Sequence, residues 1–137
     1  MLSKIFSSAS SWGLFPLRAA LGTVFLANGA RKLLAFGFDG FAGFLAGIGV
    51  PGAAFWAVVV ILVEILGGLA ILIGMFTRYA AAALSVNMLI AIFAVHAKAG
   101  FFLPNGVEYA LTLMAASLTL LLMGGGPVSL DSRVGTG

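Results

Sequence analysis

The sequence predicts an all-α fold: a four-transmembrane-helix bundle with a short interfacial or re-entrant helix between helices one and two. Three observations predict it. Hydrophobic residues make up 62% of the 137-residue chain and charged residues only 8%, where a soluble domain carries about 25% charged residues. With a mean hydropathy of +1.20, there is too little polar surface to cover a globule in water. Next, Ala53 to Phe76 (AAFWAVVVILVEILGGLAILIGMF) is a 24-residue run with one ionisable group, Glu64, near its middle. At about 1.5 Å per residue, such a helix covers the ~30 Å hydrocarbon core of a bilayer. Finally, breaks rich in Gly, Pro and aromatic residues divide the rest into three further apolar runs. A chain of this length is expected to form one domain, residues 1–137.

Residues 1–12 (MLSKIFSSASSW) read as a polar, interfacial lead-in, with Lys4 and Trp12 suited to the headgroup level. The first span is expected over residues 14–34, with Pro16 in its first turn, where a missing N–H does no harm. A cleaved signal peptide competes, since Lys4 precedes an apolar run and Ala27-Asn28-Gly29 offers small residues. Arg18 interrupts that run, however, and the run continues past the would-be cut. Residues 39–48 place Phe41, Phe44, Leu45 and Ile48 on one helical face, with Asp39 as the starting cap and Gly49 and Pro51 as the stop. This piece is too short to span and reads as an interfacial helix. The second span takes residues 53–76. Thr77 is expected to cap the third, residues 78–98, which must then lie antiparallel to the second because the connection is so short. An aromatic loop, AGFFLPNG, ends in a Pro-Asn-Gly turn. The fourth span covers residues 107–123 and stops at Gly124-Gly125-Gly126-Pro127, leaving a polar tail with a mobile end.

Four spans bring both termini to one side. Lys4, Arg18, Arg78 and Arg133 lie on that side and Arg31, Lys32 and Lys98 on the other, which leans towards cytoplasmic termini. The net charge of +3 comes from basic residues scattered singly apart from Arg31-Lys32, so it reads as membrane anchoring and not as a nucleic-acid patch. The chain has no cysteine and one histidine. Disulfides, thiolate metal sites, iron–sulfur clusters and bis-His haem ligation within the chain are excluded, and no metal site is expected. Glycines seven apart (Gly22 and Gly29; Gly67 and Gly74) suit close helix packing in lipid. Arg18 with Asn28 and Arg78 with Asn87 leave room for a duplicated hairpin.

Two polar groups stand out. A carboxylate at mid-membrane costs about 2.5 kcal/mol or more on insertion scales, so Glu64 needs a partner, a wet cavity or a proton. Asn87 shares its depth on the neighbouring helix. Arg18 lies about 9 Å from the middle of helix one, and its side chain either reaches inward to Glu64 or snorkels outward. These three residues form the candidate intramembrane polar group. At the other end, Asn28, Lys32, His96 and Glu108 form a candidate polar pocket roofed by residues 35–52. Asn28 and Lys32 share a face at i, i+4, and Glu108 also suits a helix start by the dipole alone. A catalytic role is not assigned to any of them. No Ser and Asp accompany the histidine in a nucleophilic arrangement, and no Lys-Ser/Thr follows the Gly-rich run as a phosphate loop requires.

The ordered motifs Leu17-Arg18-x-x-Leu21-Gly22-x-x-Phe25-Leu26, Asn28-Gly29-x-x-Lys32-Leu33, Gly47-x-Gly49-Val50-Pro51 and Glu64-x-x-Gly67-Gly68 continue with Gly74-x-x-Thr77-Arg78-x-Ala80-Ala81, Asn87-Met88 and His96. They close with Glu108-Tyr109-Ala110-Leu111 and Ser129-Leu130-Asp131. Over residues 14–132 this pattern resembles the DoxX family of small bacterial four-helix membrane proteins. The resemblance implies a multi-pass protein of the bacterial inner membrane associated with oxidoreductase systems. Relatives serve as a thiosulfate:quinone oxidoreductase subunit, as a membrane partner of superoxide dismutase and a sulfurtransferase, or in quinone handling.

The expected function is therefore an integral component of a redox system that binds or serves a quinone; an enzymatic role would be that of a subunit of a quinone-linked oxidoreductase. Lys32 or His96 would donate to a carbonyl, and Glu64 or Glu108 would pass protons. One alternative is a non-catalytic scaffold recruiting soluble redox enzymes. Another is a small transporter or channel that, with so few helices, needs a homo-oligomer.

Overall fold

The computed structural model describes residues 1–135, and the side chains of all of these except residues 6–8. Helix α1 spans Leu2–Trp12, α2 Leu14–Leu34, α3 Phe38–Gly47, α4 Ala53–Ile73, α5 Thr77–Ala91, α6 Glu108–Met123 and α7 Leu130–Val134. There is no strand among the described residues. Helix α5 runs on through a π-helical turn, Ile92–His96, and a 3₁₀ turn, Ala97–Ala99.

Helix α2 packs most extensively on α4, α5 packs on α6 and α4 on α5, with a thin α2–α6 contact closing the ring. Glycine sets the α2–α4 spacing. A Cβ on Gly68 would sit 2.6 Å from Leu26 N, and one on Gly22 2.8 Å from Gly68 O, so here the two backbones touch. The main core gathers Leu21 and Phe25 of α2, Ile71 of α4, Leu84 and Met88 of α5, and Leu113 and Leu120 of α6. A second, smaller cluster joins Phe41 and Leu45 of α3 to Ala57 and Ile61 of α4.

Two helical stretches, Ala53–Ile73 and Thr77–Ala99, are long and apolar enough to cross a membrane. Only 33% of the most apolar window of the first is buried, and 22% of the second, which is the reverse of a core helix in a water-soluble protein. Phe55, Val58, Leu62, Leu66, Leu69 and Ile73 form an exposed stripe down α4, and a stripe of that length needs apolar surroundings. Helix α2 is as long, at 21 residues, but carries Arg18, Arg31 and Lys32; α6 is apolar but has only 16 residues.

Several local expectations change. The lead-in is itself helical. Asp39 lies in the first turn of α3 without capping it; Gly37 holds the N-cap position. The second helix ends at Ile73, because Gly74 takes a left-handed conformation, φ 71°. A side chain there would meet Ser129 Cβ at 2.5 Å and Arg18 Nη2 at 2.7 Å. Thr77 is the first residue of α5 rather than its cap, and its buried Oγ1 has no hydrogen-bond partner. Asp131 does the capping from far along the chain, accepting from Phe76 N at 2.8 Å and Thr77 N at 2.9 Å. The polar tail is thus docked through α7, whose N-cap is Ser129. Its expected mobile end lies outside the described residues.

Candidate functional site

Side-chain direction decides which polar groups meet. In a helix every Cα–Cβ bond tilts towards the N-terminus. Lys32, near the end of α2, therefore points back along the bundle towards Glu64. Arg18, near the start of α2, points away from it. Lys32 Nζ donates to Glu64 Oε2 at 2.6 Å, and Asn87 Nδ2 donates to Glu64 Oε1 at 3.2 Å. Both carboxylate oxygens are thereby engaged.

Helix packing places this cluster. A Cβ on Gly29 would lie 3.0 Å from Glu64 Cβ and 2.7 Å from Ile65 Cγ1. The α2 backbone therefore passes directly beside the carboxylate, and Lys32, one turn further on, bends over it. Antiparallel register between α4 and α5 does the rest: Gly67 faces Leu84, so Glu64 faces Asn87 one turn along. The Glu64 side chain is 3% exposed and that of Lys32 21% exposed. One partner is sealed in and the other keeps an edge towards the outside. Above it, Lys32 Nζ lies 5.6 Å from the centre of the Phe41 ring, and Arg31 sits 5.1 Å over Phe36. Phe41 of α3 and Phe36 just before it thus lay aromatic faces against the two cations at the end of α2.

Arg18 makes a different structure. Its guanidinium, 2% exposed, donates through Nε to Ile71 O at 2.9 Å, through Nη2 to Leu72 O at 3.0 Å, and through Nη1 to Gly125 O at 2.9 Å and to Val128 O. It satisfies carbonyls left over at the end of α4 and ties them to the segment after α6. It neither reaches Glu64 nor snorkels outward.

The other candidates hold the far end together. Asn28 Nδ2 donates to Val24 O at 2.8 Å and to Tyr109 Oη at 3.4 Å, linking α2 to α6. His96 Nδ1 lies 2.9 Å from Asn105 O, and Glu108 Oε1 accepts from Leu103 N at 2.8 Å; both pin the aromatic loop. Among the described residues no hydrogen bond or ion pair joins Lys32 to His96 or Glu108. Phe41, Gly29 and Tyr109 join the site without having been singled out for it. The Gly22–Gly29 spacing signals the close approach, and the tilt of Cβ bonds is the clue to the Lys32–Glu64 pair.

A compact helical bundle with outward apolar stripes and an inward ion pair defines a small membrane protein. The chain belongs to the DoxX family, whose pattern matches residues 13–97; that segment contains Arg18, Asn28, Lys32, Glu64, Asn87 and His96. Two relatives extend the similarity over most of the chain. An uncharacterized protein of Haemophilus influenzae is 33% identical over 121 residues, covering 85% of this chain and 87% of the relative. The Bacillus subtilis protein named "Putative oxidoreductase CatD" is 30% identical over 122 residues, covering 89% and 87%. No solved structure matches the chain significantly.

Proposed function

We propose that this protein is a membrane component of a redox system that binds a quinone at the Lys32–Glu64–Asn87 cluster. In this reading α2, α4, α5 with its continuation, and α6 are four spans of a bacterial inner-membrane protein with both termini in the cytoplasm. The observation that carries it is the sealed carboxylate with an ammonium at 2.6 Å under a phenyl ring. The oxidoreductase name of the Bacillus subtilis relative supports the redox setting.

The residues fit a quinone head. The cluster is neutral overall, as suits an uncharged ring. A lysine ammonium has three donors and an amide offers donors and an acceptor, so Lys32 can hold one ring oxygen while Asn87 orients the ring. Phe41, whose ring lies over the Lys32 ammonium, supplies an apolar wall. When bound, a quinone accepts two electrons and two protons; the electrons come from a soluble partner enzyme bearing its own redox group. Glu64, between Lys32 and Asn87, is placed to hold a proton beside the head. Asn28 ties α2 to the start of α6, and His96 and Glu108 hold the aromatic loop.

Quinone titration of the purified protein in nanodiscs tests this. Binding that weakens at least about tenfold, or 1.4 kcal/mol, in both Lys32→Ala and Glu64→Gln supports it. Unaltered affinity in both removes the cluster from ligand binding. The lack of cysteine and the single histidine favour one second reading, a scaffold for soluble redox enzymes. Wild-type protein that binds no quinone but retains such enzymes after gentle solubilisation supports that reading instead.

A further inference from the structure

Helix α3 is weak as a helix by itself. Three of its ten residues are glycine, Gly40, Gly43 and Gly47, and they lie exposed at i, i+3, i+7 on one outer face. A Cβ at Gly43 or Gly47 would meet nothing within 4 Å, and one at Gly40 would meet Phe36 Cβ at 3.9 Å, an ordinary contact. No close neighbour therefore requires glycine at these positions. What the three glycines change is backbone entropy. Each shifts the helix towards the disordered chain by about two- to fivefold relative to alanine. The helix is also shorter than the roughly 12–15 residues below which isolated helices are marginal in water.

Tertiary contact must hold α3 in place, and that contact is narrow. The helix packs mainly on α4, with a much thinner contact to α2. Its buried anchors, Phe41 and Leu45, sit against Ala57 and Ile61 in a cluster distinct from the main core. Gly37 at φ 74° and Gly52 at φ 65° bound the segment. Losing this cluster detaches α3 and leaves the main core intact. The anchor is also a cover: the Phe41 ring lies 5.6 Å from Lys32 Nζ. Undocking α3 therefore uncovers the ammonium that is paired with Glu64.

We infer that α3 is a lid: it undocks from α4 and melts as a unit, and this local opening admits a ligand to Lys32 and Glu64. The inference concerns access to the pair and does not rest on a quinone being the ligand. Openings of this kind belong to the low-stability end of a fold, where few buried contacts hold a segment. Because α3 is joined at both ends to the helices that carry Lys32 and Glu64, it recloses over the same place. A lid that must open for entry and exit alike sets how fast a ligand exchanges, not how tightly it is held.

Two readings in nanodiscs, with no ligand added, test this. One is hydrogen exchange of the α3 amides. The other is acylation of Lys32 by a water-soluble N-hydroxysuccinimide ester, quantified on peptides with the exposed Lys98 as internal reference. Gly40→Ala combined with Gly43→Ala strengthens the helix without replacing either member of the pair. It should slow α3 exchange and Lys32 acylation together by about tenfold, with Lys98 unchanged. Leu45→Ala removes a docking contact and should speed both by at least about tenfold. Lys32 acylation that stays constant while α3 exchange moves shows that the ammonium is reached without the lid, and overturns the inference. Exchange in α3 that neither variant alters, or wild-type α3 amides as protected as those in the middle of α4, also overturns it, because α3 then does not open by itself.

Discussion

Lys32→Met takes the ammonium away from a carboxylate that is only 3% exposed and has Asn87 as its remaining partner. Leaving one member of a buried pair uncompensated typically costs about 3–5 kcal/mol. Glu64→Gln is milder. Lys32 keeps a 21% exposed edge near the end of α2, so its long chain can swing the ammonium outward. That variant then loses chiefly one charge-assisted hydrogen bond, about 1–2 kcal/mol. Combining the two leaves neither charge stranded, so the double variant should be more stable than Lys32→Met alone, with a coupling of about 2 kcal/mol. Thermal or denaturant unfolding of the four proteins in one detergent gives all three differences. Single effects that are equal would refute the asymmetry in burial, and effects that add to within about 0.5 kcal/mol would refute the pairing.

Three more outcomes follow from the packing. Gly68→Ala puts a Cβ 2.6 Å from Leu26 N, short of ordinary contact, and should destabilise by about 1–3 kcal/mol. Gly43→Ala, in α3 with nothing within 4 Å, should instead stabilise by about 0.5–1 kcal/mol; both are read by unfolding midpoints. Asp131→Ala removes the acceptor of the Phe76 and Thr77 amides and should cost about 1–3 kcal/mol, with faster hydrogen exchange at those two amides as the specific sign. Arg18→Lys should not restore what Arg18→Ala loses, because a point ammonium with three donors cannot span four carbonyls on separate segments. Folded yield in detergent and thermal midpoint measure this, and a lysine variant equal to wild type would contradict it.

Composition and apolar run length determined that the chain is helical and belongs in a membrane, because helix length, Gly and Pro breaks and the scarcity of charge are properties of adjacent residues. The helical start at Leu14, the helix over α3 and the stop before Gly124 were all legible for that reason. The hydrogen bond between Asn87 and Glu64 follows from a short connection between antiparallel helices, which also leaves its mark in sequence. Which cation meets Glu64 was decided only in three dimensions. Arg18 and Lys32 both lie on α2 at similar angles, and the choice turns on the axial offset of α2 against α4. Contacts at Gly22, Gly29 and Gly68 fix that offset, and the direction in which helical side chains lean then sends Lys32 to the carboxylate and Arg18 away from it. Likewise, that Asp131 caps a helix beginning at Thr77, and that Phe41 covers Lys32, depends on how distant segments dock. Docking is a sum of many weak contacts between residues far apart in the chain, and no local pattern records it.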